Sequence, residues 1–148
     1  IRPTGALGFE EHPEREDSLE RVIEVLGAEV VEYAGKTKCC GFPILTVNEP
    51  NSLAMSAMHT SEARDKGADA MVTPCPLCHL NLDGQQARAE AHVKEKIDMP
   101  ILHLPQMVGM ALGFSPEEME VRRHLVSTEK VAEKVKALGG SETPTPSL

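Results

Sequence analysis

Two patterns of apolar positions alternate along the chain and predict helices and short strands in turn. Apolar residues three and four positions apart predict helices, and short apolar runs bounded by Gly, Pro or polar residues predict strands. The predicted helices cover about 17–26, 51–66, 79–96, 104–112 and 129–138, with another starting at 115, and the predicted strands cover 28–33, 70–73 and 99–103. This alternation indicates an α/β fold with a mainly parallel sheet flanked by helices.

Capping residues mark the predicted helix starts, and Gly27 and Gly67 mark the predicted ends of the first two helices. Asp17 is followed three residues later by Glu20, which is the spacing of a capping box. Asn51 or Ser52 is placed to cap the second helix. The segment Ser115–Glu118 reads Ser-Pro-Glu-Glu, with a cap, a proline at the first position and a glutamate at the third, so it predicts a strong helix start.

Length and composition indicate one globular domain. The chain has 148 residues, 41% hydrophobic and 26% charged, so we expect a single domain over 1–140 and a disordered Ser/Thr/Pro-rich tail over 141–148. The net charge of -8 argues against nucleic acid or an anionic membrane surface as a partner. No apolar run approaches the roughly 18 residues of a membrane helix, so direct membrane insertion is not expected.

The four cysteines are the main chemical signal. They form two groups, Cys39-Cys40 and Cys75-x-x-Cys78, each after a predicted strand. Ligands of parallel sheets lie at the carboxyl ends of the strands, so the two groups are expected to converge. The chain is neither short nor dense in cysteine, which argues for free thiols in a reducing compartment and a cytoplasmic location.

Thiolates in this arrangement suit zinc or an iron–sulfur cluster. Cys39 and Cys40 are adjacent and fit poorly on one tetrahedral ion, whose ligands are usually two to four residues apart. A cluster with several irons accommodates them better, and it would serve electron transfer or thiol/disulfide chemistry. A structural zinc site, a thioredoxin-like pair with Cys75 at a helix start, and buried inert thiols remain as alternatives.

Two histidines invite a ligand interpretation. His79 adjoins Cys78, and we expect it to be a helix-surface residue or a hydrogen-bond donor beside the site rather than a ligand. His103 ends a predicted strand, and we expect it to be a core histidine with its hydrogen bonds satisfied.

The cysteine segments resemble a known domain. Cys39-Cys40-Gly41 and the segment Thr73–Asp83, which reads TPCPLCHLNLD, are similar to the cysteine-rich CCG domain found in the B subunit of heterodisulfide reductase. The similarity extends upstream to Arg2-Pro3 and downstream to Ala111-Leu112-Gly113, so it covers nearly the whole chain except the tail. The family pattern has one further cysteine, which by spacing would fall just before Ile1. The B subunit carries two such domains, and this chain resembles the C-terminal one.

The resemblance implies a cofactor, a reaction and partners. Cys39, Cys40, Cys75 and Cys78 would ligate a non-cubane 4Fe-4S cluster, and the cluster itself would be the catalytic group that reduces a small disulfide. The implied partners are a ferredoxin-like iron–sulfur subunit, a flavin subunit and the N-terminal half of the same subunit. The alternatives are a structural or assembly module with zinc on the same cysteines, and an electron-relay subunit of a dehydrogenase with no disulfide substrate.

Overall fold

The computed structural model describes residues 17–138. The segment 1–13, whose glycines and prolines predict a loop, and the predicted tail over 141–148 lie outside this range. Contacts divide the chain into two compact units, one up to Val30 and one from Val31 onward. No helix within 17–138 combines the length and apolar character needed to cross a bilayer.

The first unit contains helix α1, Ser18–Val25. Asp17 occupies the N-cap position, but its side chain makes no capping hydrogen bond, so the predicted capping box does not form. Gly27 adopts a φ of +89°, and the Ala28 N–H donates to Ile23 O at 3.2 Å. This is a glycine-terminated helix end, as the sequence predicts.

The predicted strand over 28–33 is wrong, because this segment has no strand partner within the described residues. A strand is defined by its hydrogen-bonded neighbour, and apolar content alone does not supply one. The chain is instead held just beyond this point by one carboxylate of helix α2, which spans Glu49–Asp65. The N–H groups of Ala34 and Gly35 donate to Glu62 Oε1 and Oε2 at 2.9 and 3.2 Å.

The second unit alternates helices with two short strands. The helices pack around the strands and are linked by turns, with 3-10 turns at Phe42–Ile44 and Val121–Arg123. In chain order the elements are α2 (Glu49–Asp65), β1 (Met71–Thr73), α3 (Pro76–Leu82), α4 (Gln86–Val93), β2 (Ile101–His103), α5 (Leu104–Ala111) and α6 (Glu129–Leu138).

Strands β1 and β2 form a parallel pair in which Met71 lies opposite Ile101 and Thr73 opposite His103. The α/β class with a parallel sheet is therefore confirmed, with two strands within the described residues. Helix α2 packs against α4, and the largest core cluster lies around these elements. Its buried members include Leu53, Ala57, Ala63, Leu82, Ala89, Ile97, Met99 and Ile101.

The long helix predicted to run to about residue 96 is two helices, α3 and α4. The chain breaks at Asp83, whose buried carboxylate accepts hydrogen bonds from the N–H groups of Leu125 and Val126 at 2.9 and 3.0 Å. Gln86 is fully buried and makes two hydrogen bonds with the Met99 backbone. Its Nε2 donates to Met99 O at 2.9 Å, and its Oε1 accepts from the Met99 N–H at 2.7 Å. These hydrogen bonds to residues distant in sequence determine where the helix is interrupted. Helical spacing alone therefore does not reveal the interruption.

Two predicted helix starts differ in the structure. The cap of helix α2 is Asn48 rather than Asn51 or Ser52, and its side chain accepts from the Asn51 N–H at 3.2 Å. The capping box at Ser115 does form, since Ser115 and Glu118 exchange backbone-to-side-chain hydrogen bonds of 2.8 and 3.2 Å. The segment nevertheless remains a turn, because Glu120 adopts a φ of +55°, which no α-helix accommodates.

Candidate metal and redox site

The segment Cys39–Gly41 lies in a turn rather than at a strand end, so that part of the prediction is wrong. Cys39 is exposed and Cys40 is 7% exposed. Gly41 adopts a φ of +91°, a conformation that favours glycine. This turn directs the Gly41 N–H toward Cys39 Sγ at 3.5 Å, an N–H···S contact of the kind that tunes ligating sulfurs.

Three successive carbonyls of this segment each accept a hydrogen bond from a different buried side chain. His59 Nε2 donates to Cys39 O at 3.0 Å, Asn81 Nδ2 donates to Cys40 O at 2.7 Å, and Ser52 Oγ donates to Gly41 O at 2.9 Å. Ser52 and His59 belong to α2, and Asn81 belongs to α3. The backbone around the adjacent cysteines is therefore fastened to two helices.

The second cysteine group follows β1, as predicted. Cys75 is the N-cap residue of α3, and Pro76 occupies the next position. The Cys75 N–H donates to Thr73 Oγ1 at 3.2 Å, which holds the end of the strand against the start of the helix. The Cys78 N–H donates toward the Cys75 sulfur and lowers the pKa of that thiol, with a further contribution from the Leu77 N–H.

Three of the four thiols meet. The thiols of Cys40 and Cys75 both act on the pKa of the Cys78 thiol, and Cys78 packs against the core cluster that contains Cys40. Burial, together with these two neighbours, raises the pKa of Cys78 to about 12. All four cysteines are free thiols, and Cys39, adjacent to Cys40 in the turn, is exposed. The structure thus brings both sequence groups to one place, although only one of them follows a strand.

The structure contains a histidine cluster that the sequence analysis does not predict. The ring centroids of His79 and His124 are 4.7 Å apart, and those of His79 and His103 are 5.9 Å apart. Burial lowers the pKa of both His79 and His124, so these rings are neutral near pH 7. They line a cavity of about 480 Å³ together with Asp83. His124 lies 45 residues from His79 in sequence, and no local pattern joins them.

Two expectations about these histidines need correction. His103 was expected to have all its hydrogen bonds satisfied, but its buried Nε2 has no partner within residues 17–138. His79 is half-buried rather than a surface residue, and its Nδ1 is likewise without a partner in that range. Both rings contact another histidine ring, because the end of β2 brings His103 beside α3.

Gln106 determines which nitrogen of His124 carries the proton. Its Oε1 accepts from the His103 N–H at 2.9 Å and its Nε2 donates to Met119 O at 3.1 Å, so the amide orientation is fixed. The same Nε2 lies 2.9 Å from His124 Nε2, which must accept. The proton of the neutral His124 ring is therefore on Nδ1. That nitrogen offers an N–H rather than a lone pair, which disfavours a metal ion held by His79, Asp83 and His124.

Comparison with known proteins places the chain in a family. The family model of the cysteine-rich CCG domain matches residues 5–83, which include all four cysteines and both helices that fasten them. The chain therefore belongs to the CCG cysteine-rich domain family.

Its relatives are oxidoreductase subunits by name. The chain is 35% identical over 131 residues to the 8-methylmenaquinol:fumarate reductase membrane anchor subunit of Wolinella succinogenes, covering 88% of this chain and 46% of that protein. It is 32% identical to the B subunit of the ferredoxin/F(420)H(2)-dependent CoB-CoM heterodisulfide reductase of Methanosarcina acetivorans, covering 87% and 43%. A protein of Archaeoglobus profundus that resembles the heterodisulfide reductase B subunit is 32% identical, with 74% and 38% covered. The chain thus spans less than half the length of these relatives.

Proposed function

We propose that this chain is the cluster-binding domain of an oxidoreductase subunit and that Cys39, Cys40, Cys75 and Cys78 ligate an iron–sulfur cluster. The observation that carries the proposal is the meeting of the Cys40, Cys75 and Cys78 thiols. The names of the relatives supply independent support, since they are subunits of reductases.

The thiol environment fits a bound cation. The pKa of about 12 at Cys78 means that the trio of Cys40, Cys75 and Cys78 cannot ionise fully in the metal-free protein near pH 7. A metal centre supplies the positive charge that makes several neighbouring thiolates stable, and soft thiolates are the preferred ligands of iron–sulfur clusters. Cys39 is exposed and adjacent to Cys40, and it is suited to a separate iron of a larger cluster.

The reaction we propose is reduction of a small disulfide at a non-cubane 4Fe-4S cluster. The overall change is RSSR + 2e⁻ + 2H⁺ → 2RSH. Cys39, Cys40, Cys75 and Cys78 would hold the cluster and tune its potential, and the cluster would supply electrons one at a time. Support comes from the relatives named as heterodisulfide reductase subunits. The partners would be a ferredoxin-like iron–sulfur subunit, a flavin subunit and the N-terminal half of the same subunit.

A second candidate function is electron relay without a disulfide substrate. It is favoured by the similarity to the fumarate reductase subunit, at 35% identity over 131 residues. In that case the same cysteines hold the cluster, but the substrate reacts on another subunit. Zinc on the same cysteines, as an assembly module, is the remaining alternative.

Metal analysis of the anaerobically purified chain tests the proposal. We expect about four irons and four acid-labile sulfides per chain, with brown absorbance. The Cys78→Ser variant removes the thiol at the centre of the trio and is expected to lose most of the iron. His92→Gln, on α4 and outside the thiol site, is the control and is expected to retain it. About one zinc and no iron would overturn the redox assignment.

Assay of the iron-loaded subunit in its complex separates the two redox candidates. With a reduced electron donor, consumption of a disulfide and release of thiols supports disulfide reduction. A cluster that is reduced and reoxidised by partner subunits while disulfides remain intact supports electron relay.

A further inference from the structure

We propose that Asn81, Ser52 and His59 are positioning residues that set the geometry of the Cys39-Cys40 pair, and that Asn81 links this pair to Cys78. This inference rests on the proposed function, because it assumes that the cysteines bind a metal. None of the three side chains is proposed to touch the metal. They act through the carbonyls to which they donate.

The continuity of the three hydrogen bonds distinguishes them from ordinary turn contacts. Three carbonyls in a row accept from side chains with exposures of 0% for Ser52, 3% for His59 and 0% for Asn81. Gly41 O accepts in addition from the Ile44 N–H at 3.1 Å. Each bond fixes the plane of one peptide group. Fixing successive peptide planes sets the backbone direction from which each Cys side chain projects.

Asn81 connects the two cysteine motifs directly. It lies three residues after Cys78 on α3, a spacing that places both on one helical face, and its amide reaches Cys40 O at 2.7 Å. The Cys40 carbonyl can only accept, so Nδ2 faces it and Oδ1 faces away. Asn81 Oδ1 is buried and has no hydrogen-bond partner among residues 17–138. An unpaired buried acceptor is costly, so the hydrogen bond from Nδ2 to the buried Cys40 carbonyl is kept at the expense of Oδ1.

Two glycines lie close against residues of helix α2, Gly41 against Ser52 and Gly35 against His59. A Cβ on Gly41 would lie 2.9 Å from Ser52 O, and a Cβ on Gly35 would clash with the imidazole of His59. The turn can therefore approach α2 closely enough for both hydrogen bonds. The same approach fixes the Gly41 N–H at 3.5 Å from Cys39 Sγ. Hydrogen bonds to ligating sulfurs tune the potential of a cluster. The residues that hold the Cys39–Gly41 segment therefore also hold the Gly41 N–H contact that would tune this potential.

The decisive variant is Asn81→Asp, which keeps the shape but replaces the donor with a carboxylate facing Cys40 O. Its effect is measured by titrating the metal-free 148-residue chain with Co²⁺ under anaerobic conditions and following the sulfur-to-cobalt charge-transfer absorbance. We expect affinity about 10- to 100-fold lower than that of the unmodified chain, the usual effect of losing a residue that orients ligands.

A matched control separates positioning from folding. Gln86→Glu makes the same amide-to-acid change at a fully buried residue whose partners are Leu82 and Met99. It is expected to reduce thermal stability while leaving Co²⁺ affinity within about twofold, since the Gln86 amide bonds Leu82 O and Met99 and none of the carbonyls of Cys39–Gly41. Equal weakening by Gln86→Glu and Asn81→Asp would overturn the proposal, as would unchanged affinity in Asn81→Asp.

Milder variants keep the test valid if Asn81→Asp does not fold. Ser52→Ala deletes one hydroxyl and is expected to lower Co²⁺ affinity about 10-fold. His59→Gln retains an amide donor near the position of Nε2 and should restore most of the affinity lost in His59→Leu. Absence of an effect in Ser52→Ala together with no difference between the two His59 variants would overturn the proposal. A chain that binds Co²⁺ through its thiols but assembles no iron–sulfur cluster would instead refute the proposed redox function.

Discussion

Cys75 and Cys78 lie one helical turn apart, yet their environments shift the acidities of the two thiols in opposite directions. The pKa of Cys75 is lowered, chiefly by the Cys78 N–H. The pKa of Cys78 is raised to about 12, chiefly by burial. In the metal-free protein the first thiol is therefore the better nucleophile, since only the thiolate reacts at an appreciable rate.

Alkylation of the metal-free chain tests this difference. Near pH 8, iodoacetamide is expected to modify Cys75 well before Cys78, because the lower pKa gives Cys75 the larger thiolate fraction. Fragment mass spectra distinguish the two sites within one peptide, and urea-unfolded chain, in which the two react at similar rates, is the control. Modification of Cys78 at the rate of Cys75 in the folded chain would contradict the assignment.

At the scale of elements, one carboxylate joins the end of α4 to the approach to β2. Glu90 Oε1 accepts from the N–H groups of Ile97 and Asp98 at 2.8 and 2.9 Å, and Asp98 adopts a φ of +56°. Burial acts to raise the pKa of Glu90, but the two N–H donors and Lys96 outweigh it, so the pKa lies below its ordinary value of 4.5. This contact holds the connection that leads into the buried strand.

Replacement of Glu90 tests this contribution. Glu90→Ala leaves two N–H groups without their acceptor and is expected to lower the free energy of unfolding by about 1–3 kcal/mol at pH 7. Glu90→Gln keeps an acceptor and should lose less. Because the folded pKa is depressed, the contribution of the charged carboxylate is present above the ordinary value of 4.5 and is lost as the pH falls through the folded pKa.

Urea unfolding at pH 7 and near pH 3 measures both effects. The difference in stability between the unmodified chain and Glu90→Gln should shrink at the lower pH. A difference that stays constant between the two pH values would rule out the charged carboxylate as its source.

The elements show which sequence signals are reliable. Helix α6 and the glycine-terminated ends of α1 and α2 follow from local patterns, because periodic apolar residues and positive-φ glycines act within a few residues. The strand over 28–33 and the continuous helix to 96 were wrong, because they depend on a pairing partner and on the buried contacts of Asp83 and Gln86. Such partners are distant in sequence and leave no periodic signal.

At the scale of the whole molecule, the meeting of the two cysteine groups was predicted, but the reason given for it was only half right. The end of β1 does deliver Cys75 to the site. Cys40 arrives in a turn fastened by Ser52 and Asn81, whose roles are set by tertiary contacts. Residue type and spacing therefore predict which thiols meet. The hydrogen bonds that shape the site are visible only in the structure.

The two units are also expected to differ in stability. Helix α1 has eight residues and none of them is buried, whereas α2 has 17 residues with seven buried. Helices shorter than roughly 12–15 residues are marginal in water without tertiary packing, so we expect α1 to open far more often than α2. Hydrogen exchange of the isolated chain, followed by mass spectrometry, should show α1 amides exchanging at least about 100-fold faster, since about 1.4 kcal/mol of opening free energy corresponds to tenfold. Equal protection would mean that α1 opens only with the cooperative unfolding of the second unit.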